Sequence, residues 1–118
     1  IISPCTGNTL AKLAKGITDG TVTMAAKAHL RNGRPLLIAP ASNDALSAGL
    51  ENIAALIQRK NIFFVPFGQD DCFAKPNSLV ADFTLTADAL KSAFEKRQLQ
   101  PLLQYPLKAR KENKGSEA

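Results

Sequence analysis

Two short polar stretches hold the residue types best suited to gripping a small molecule, Thr6-Gly7-Asn8-Thr9 and Ser42-Asn43. Each follows an apolar run that ends at a proline: Ile1-Ile2-Ser3-Pro4 for the first, Pro35-Leu36-Leu37-Ile38-Ala39-Pro40 for the second. Thr6, Asn8 and Thr9 carry oxygens that can accept from the free N–H groups of a helix start. Gly7 lets the backbone turn sharply or lets a ligand approach closely. The set suits hydrogen-bond recognition of a ligand at a helix N-terminus. It suits equally an ordinary strand-to-helix turn capped by Asn or Thr.

Other reactive side chains form no constellation. His29 is the single histidine and has no titratable partner nearby in sequence, so it reads as a packed or interfacial ring rather than a base. Cys5 and Cys72 make no metal or redox motif with a neighbour, and their usage fits a reduced, cytoplasmic setting. Asp70 and Asp71 would point to opposite sides of an extended segment, which makes them a poor acid–base pair. Lys75 could meet an anion or simply solvate its loop. No catalytic residue is assigned.

The elements around these residues follow from periodicity. Leu10, Leu13, Ala14 and Ile17 fall on one helical face, closed by Gly16 and the turn Thr18-Asp19-Gly20. Val22, Ala25, Ala26, His29 and Leu30 repeat that spacing up to Asn32-Gly33, with small alanines that suggest close packing on another helix or a neighbouring protomer. Residues 35–40 read as a strand covered on both faces. Leu46, Leu50, Ile53, Ala54 and Ile57 carry a helix to about Lys60, with Ser42, Asn43 or Asp44 as its cap. Ile62 to Val65 is a third strand ending at Pro66, and Phe67 to Ser78 is a long loop. Leu79 to Phe83 stays open. Thr86 caps a helix with Ala89, Leu90, Ala93 and Phe94 on one face, ending near Gln98; Leu99 to Tyr105 is a proline-broken apolar stretch that docks on a neighbouring surface. The expected class is α/β with a parallel sheet. Parallel strands bring the three strand ends to one edge, where open α/β sheets take their ligands.

The chain has 118 residues, 45% apolar and 21% charged, which bounds it to one globular domain, assigned to 1–106. No apolar run approaches the length of a membrane span. Of the net charge of +5, the closing stretch from Lys108 holds four basic and two acidic side chains. Residues 107–118 therefore read as a basic, disordered tail. Aromatic residues cluster at Phe63, Phe64 and Phe67 instead of interleaving with basic ones, so there is no nucleic-acid footprint. Residue 1 already reads as the inside of a strand, and no Met precedes it. The expectation is the C-terminal part of a longer protein, with earlier βα units absent here.

Several segments carry a resemblance. Pro4-Cys5-Thr6-Gly7-Asn8-Thr9-Leu10 looks like the Pro-x-Ser-Ala-Asn-Thr segment of flavin-binding cysteine decarboxylases. Pro40-Ala41-Ser42-Asn43 resembles their Pro-x-Met-Asn segment, and Leu50-Glu51-Asn52-Ile53 is similar to the helix that follows, also in flavin prenyltransferases. Within this flavoprotein superfamily the likeness is greatest to the dipicolinate synthase B subunits. It is carried by Leu30-Arg31-Asn32-Gly33-Arg34-Pro35, Lys60-Asn61-Ile62-Phe63-Phe64-Val65-Pro66-Phe67-Gly68-Gln69-Asp70 and Lys75-Pro76-Asn77-Ser78-Leu79. The resemblance runs from residue 1 to about residue 103.

The resemblance implies a Rossmann-like, flavodoxin-like three-layer fold, FMN as cofactor, and trimers or larger homo-oligomers. It places the phosphate-binding turn outside this chain. Thr6, Gly7, Asn8, Thr9, Ser42 and Asn43 are left on the isoalloxazine side. It further implies the nicotinamide-dependent A subunit of dipicolinate synthase as partner, and oxidation of dihydrodipicolinate to dipicolinate in sporulation. The decarboxylases' catalytic histidine has no match in His29, and their Met is Ser42 here, which points away from decarboxylation. Another flavin-site activity, or a scaffolding role in which all chemistry happens in the partner, remains as an alternative.

Overall fold

The computed structural model describes residues 1–104. The tail expected at 107–118 lies outside the described residues. The element order is β1 (Ile2–Cys5), α1 (Gly7–Lys15), α2 (Thr21–Arg31), β2 (Leu36–Ser42), α3 (Leu50–Ile57), β3 (Ile62–Phe64), β4 (Phe67–Gly68), β5 (Leu79–Ala81), a 3-10 turn (Phe83–Leu85) and α4 (Thr86–Phe94).

β2 is the axis of the sheet. Its residues alternate between two cores, which is why its sequence is apolar without a break. Leu36 and Ile38 face a core built with Leu10, Leu13, Ala26, Ile53 and Leu56 of the first three helices. Leu37 and Ala39 face a second core with Val65, Ala81 and Ala89, on the side of α4. Helices on both faces of the sheet make the three-layer α/β architecture that the sequence implies. β1 and β3 flank β2 in parallel, with Ile2 opposite Ile38 and Phe63 opposite Leu37. Two short antiparallel strands extend this parallel part: β5 pairs with Ala41 and Ser42 at the end of β2, and β4 pairs with β5. Both strands are too short to show a period, so the sequence leaves β5 open and reads β4 as loop.

The structure departs from several local expectations. β1 continues past Pro4 to Cys5, which pairs with Pro40, and β2 continues past Pro40 to Ser42 because Val80 and Leu79 offer partners there. The helix expected after Ser42 begins only at Leu50, with Gly49 as its N-cap, and ends at Ile57 rather than Lys60. Residues 43–49 are turns instead. The Asp44 carbonyl accepts from the N–H groups of Ser47 and Gly49, and the Leu46 N–H donates to Asn77 O. Ser42, Asn43 and Asp44 therefore cap no helix. Gly49 is needed in this bend, since a Cβ there would lie 3.1 Å from both Asp44 O and Ala45 Cα.

α1 stops where expected, at Gly16 in the left-handed conformation (φ 73°). Ile17 therefore leaves the helix and is exposed. The stripe expected on α2 is covered only in part: Ala26 is buried, while Val22 is 51% exposed and Ala25 is exposed too. α4 buries Ala89 and Ala93 but exposes Phe94, and it ends before Gln98, with Leu85 rather than Thr86 as its cap. Of the apolar stretch expected to dock, Leu99 to Gln104 lies against the sheet, and Tyr105 falls outside the described residues. Phe67 N–H donates to Leu102 O and Gln104 N–H donates to Phe67 O, adding a bridge beside β4.

Two side chains do the work of backbone. The Gln98 amide accepts from Phe64 N–H (2.7 Å) and donates to Phe64 O (2.6 Å), serving as a strand partner at the edge of β3. The Arg59 guanidinium donates to the carbonyls of Leu13 (2.9 Å) and Ala14, satisfying the C-terminal end of α1. Arg59, just beyond the end of α3, thus serves the neighbouring helix.

Candidate functional site

The C-terminal ends of β1 and β2 sit side by side, with Cys5 opposite Pro40. The turns that leave these ends meet. Gly7 opens α1 directly after β1 and lies against Ser42, so closely that an added Cβ would stand 2.7 Å from Ser42 Oγ and 3.3 Å from Asp44 Oδ1. Ser42 in turn donates its hydroxyl to Asp44 Oδ1 at 2.7 Å. Glycine at residue 7 is what lets the first turn rest on the second.

Above this contact is a cavity of about 620 Å³, bordered by Thr6, Gly7 and Asn8 of the first turn and by Ser42, Asn43 and Asp44 of the second. Five of the six residues expected at a site, Thr6, Gly7, Asn8, Ser42 and Asn43, line it together. Thr9 does not. Its N–H donates to Thr6 Oγ1 (3.5 Å) and its hydroxyl accepts from Thr6 (3.4 Å), which fixes the helix cap. The Gly7 and Asn8 N–H groups, at the positive end of a nine-residue helix, donate to nothing among the described residues. The sequence reading assigns no ligand role to three further lining residues: Asp44, Glu51 and Asn52. Asn52 enters because α3 starts late and turns its third residue inward; only burial could have revealed it.

The other candidates fall away on geometry. His29 Nε2 donates to Pro35 O at 2.7 Å, so the ring packs against the entry to β2. Cys5 is fully buried, and burial pushes its thiol up to about 12, which removes it as a nucleophile. Asp71 accepts from Ala74 N–H within its own loop (3.1 Å), and Lys75 lies 4.0 Å from Asp70. No group of His, Cys, Asp and Glu among the described residues could hold a metal. A larger cleft of about 750 Å³ opens at the opposite ends of the strands, beside Gly33, Arg59, Lys60, Asn61, Lys96 and Gln98. Most of its polar groups are already in use. Lys96 Nζ donates to Gly33 O (2.6 Å) and Asn61 Oδ1 (2.8 Å), and Arg59 and Gln98 hold the backbone groups described above. The smaller cavity keeps more of its hydrogen-bonding groups free, Asn8, Asn43 and Asn52 among them.

A three-layer α/β sheet with its open polar cavity at the C-terminal strand ends defines a nucleotide- or cofactor-binding class of protein. The chain belongs to the Flavoprotein family, whose model matches residues 1–91. It is 50% identical over 103 residues to the dipicolinate synthase B subunit of Bacillus subtilis, covering 87% of this chain and 52% of that protein. The crystal structure of the dipicolinate synthase B subunit from Bacillus halodurans superposes with a TM-score of 0.86 at 46% identity, covering 87% of this chain and 53% of that one. A protein of Escherichia coli O157:H7 named as a probable UbiX-like flavin prenyltransferase is 38% identical over 66 residues, 56% of this chain and 33% of its own. The chain thus spans about half the length of the two synthase proteins it matches.

The family implies a flavin, and the cavity fits its ring. Gly7 leaves a cradle that a Cβ would fill, two helix N–H groups are free, and polar side chains border the opening. Among the lining residues, one cation, Lys15, stands against the two carboxylates of Asp44 and Glu51. That balance suits an uncharged ring better than a phosphate.

Proposed function

We propose that this chain supplies the ring-binding side of an FMN site in an enzyme of the dipicolinate synthase B type. The observation that carries the reading is the meeting of the Thr6–Asn8 and Ser42–Asn43 turns around one cavity, in a chain half identical to such a protein. In this reading the phosphate contacts come from outside the residues described, in keeping with the acidic balance of the lining. Bound flavin would supply hydride transfer. The Gly7 and Asn8 N–H groups and the Asn8 amide hydrogen-bond the polar edge of the ring, and the helix dipole favours negative charge there. Asn43, exposed at the mouth, is placed to orient a substrate carboxylate.

By the same likeness we assign the reaction as oxidation of dihydrodipicolinate to dipicolinate during sporulation, in the cytoplasm, with the nicotinamide-dependent synthase A subunit as partner. No helix among the described residues is long and apolar enough to cross a membrane. Exposed Ile17, Val22 and Met24 support assembly into a trimer or larger homo-oligomer. The test is flavin content of the purified protein and its ability to restore synthase activity to that A-type partner. A yellow protein whose colour and activity fall in Asn8→Ala supports the reading. A colourless protein that still restores activity replaces it with a scaffolding role.

A further inference from the structure

Asn52 stands apart from the rest of the cavity lining. It is 92% buried, as its 8% exposure shows, yet its side-chain amide has no hydrogen-bond partner among the described residues. The amide is left open to the cavity, since Asp70 Oδ1 is the one side-chain oxygen or nitrogen among the described residues that is both sealed from water and unpartnered. Asn8, Asn43, Asp44 and Glu51 are exposed where they line the same cavity, so water competes at each of them. Ser42 is already engaged with Asp44. Asn52 is thus the most enclosed polar side chain of the lining, placed where water competes least with a ligand for its hydrogen bonds.

An Asn amide presents one donor and one acceptor side by side, the pattern that pairs with a neighbouring N–H and C=O on a flat heterocycle. The pyrimidine portion of a flavin carries such an edge, an imide N–H between two carbonyls. We infer that Asn52 reads this imide edge, with Oδ1 accepting from the ring N–H and Nδ2 donating to an adjacent carbonyl. It is a specificity-determining residue of the site. The inference rests on the flavin reading above and adds to it the face of the ring that enters first: imide edge inward, dimethylbenzene edge toward the mouth.

The experiment compares lumiflavin with N3-methyl-lumiflavin, in which a methyl group replaces the imide hydrogen. Both are titrated against the protein by flavin fluorescence. The wild type should prefer lumiflavin by on the order of tenfold or more, the range of a paired hydrogen-bond contact. In Asn52→Leu, close in size but without the amide, the preference should shrink to about twofold or less. Asn52→Asp keeps an acceptor for the ring N–H; it should retain the preference while binding both ligands more weakly. A wild type that binds both ligands equally, or an Asn52→Leu protein that keeps the full preference, overturns the role of Asn52 and leaves the flavin reading standing. If neither ligand binds the wild type, the flavin reading fails and this inference with it.

Discussion

Gly7→Ala separates the geometry of the site from simple helix preference, because the two predict opposite signs. Gly7 is the first residue of α1, and alanine is favoured over glycine within helices by up to about 1 kcal/mol. On that ground alone the substitution would stabilise. The new methyl group, however, would sit 2.7 Å from Ser42 Oγ and 3.3 Å from Asp44 Oδ1. Ser42 has no long side chain to swing away, so either the second turn retreats or the Ser42–Asp44 hydrogen bond breaks. Losing that bond costs about 0.5–1.5 kcal/mol, and forcing a methyl group into a packed site costs about 1–3 kcal/mol. The net expectation is a loss of about 1–3 kcal/mol, read as a lower urea midpoint at unchanged slope. Ser42→Gly removes the obstruction. In that background Gly7→Ala should be neutral or stabilising, a reversal that only direct contact between the turns explains. A Gly7→Ala protein as stable as the wild type would refute the packing of the first turn on the second.

Arg59→Met should lower stability by about 1–2 kcal/mol in a denaturant titration, since two terminal carbonyls of α1 lose a charged donor. Gln98→Leu should cost about 1–3 kcal/mol and speed amide exchange at Phe64, whose buried N–H loses its acceptor. Cys5 titrates at about 12 in the folded chain against 9.0 as its ordinary value, so above pH 9 the unfolded chain sheds a proton that the folded one keeps. Its contribution is full below pH 9 and is lost at about 1.4 kcal/mol per pH unit toward pH 12. The stability of Cys5→Ala should therefore fall less steeply with alkaline pH than that of the wild type. In the native protein, thiol reagent should label the half-exposed Cys72 and leave Cys5 untouched.

Much of this arrangement is legible in the residues. The unbroken apolar run of β2 announces a strand buried on both faces, and the spacing of Leu10 and Leu13 announces the inner face of α1. Thr6–Asn8 and Ser42–Asn43 can be brought together from topology alone, because parallel strands end on one edge. The errors have physical causes. Leu46 precedes Leu50 by one helical turn and packs on the core, so it mimics helix periodicity, yet its N–H is held by Asn77 from another loop. Val22 and Ala25 have the spacing of a buried face but are exposed in the isolated chain. Arg59 and Gln98 act on residues far away in sequence, and no local pattern encodes that. The role proposed for Asn52 is equally invisible in the sequence, since it depends on a largely buried residue whose amide has no protein partner.

The most direct measurement is a crystal structure of the protein with flavin bound. The account predicts the isoalloxazine ring against Gly7, between the Asn8 and Asn43 turns, with Asn52 at its inner edge. A ring bound instead in the cleft beside Arg59, Lys60 and Lys96 would contradict it.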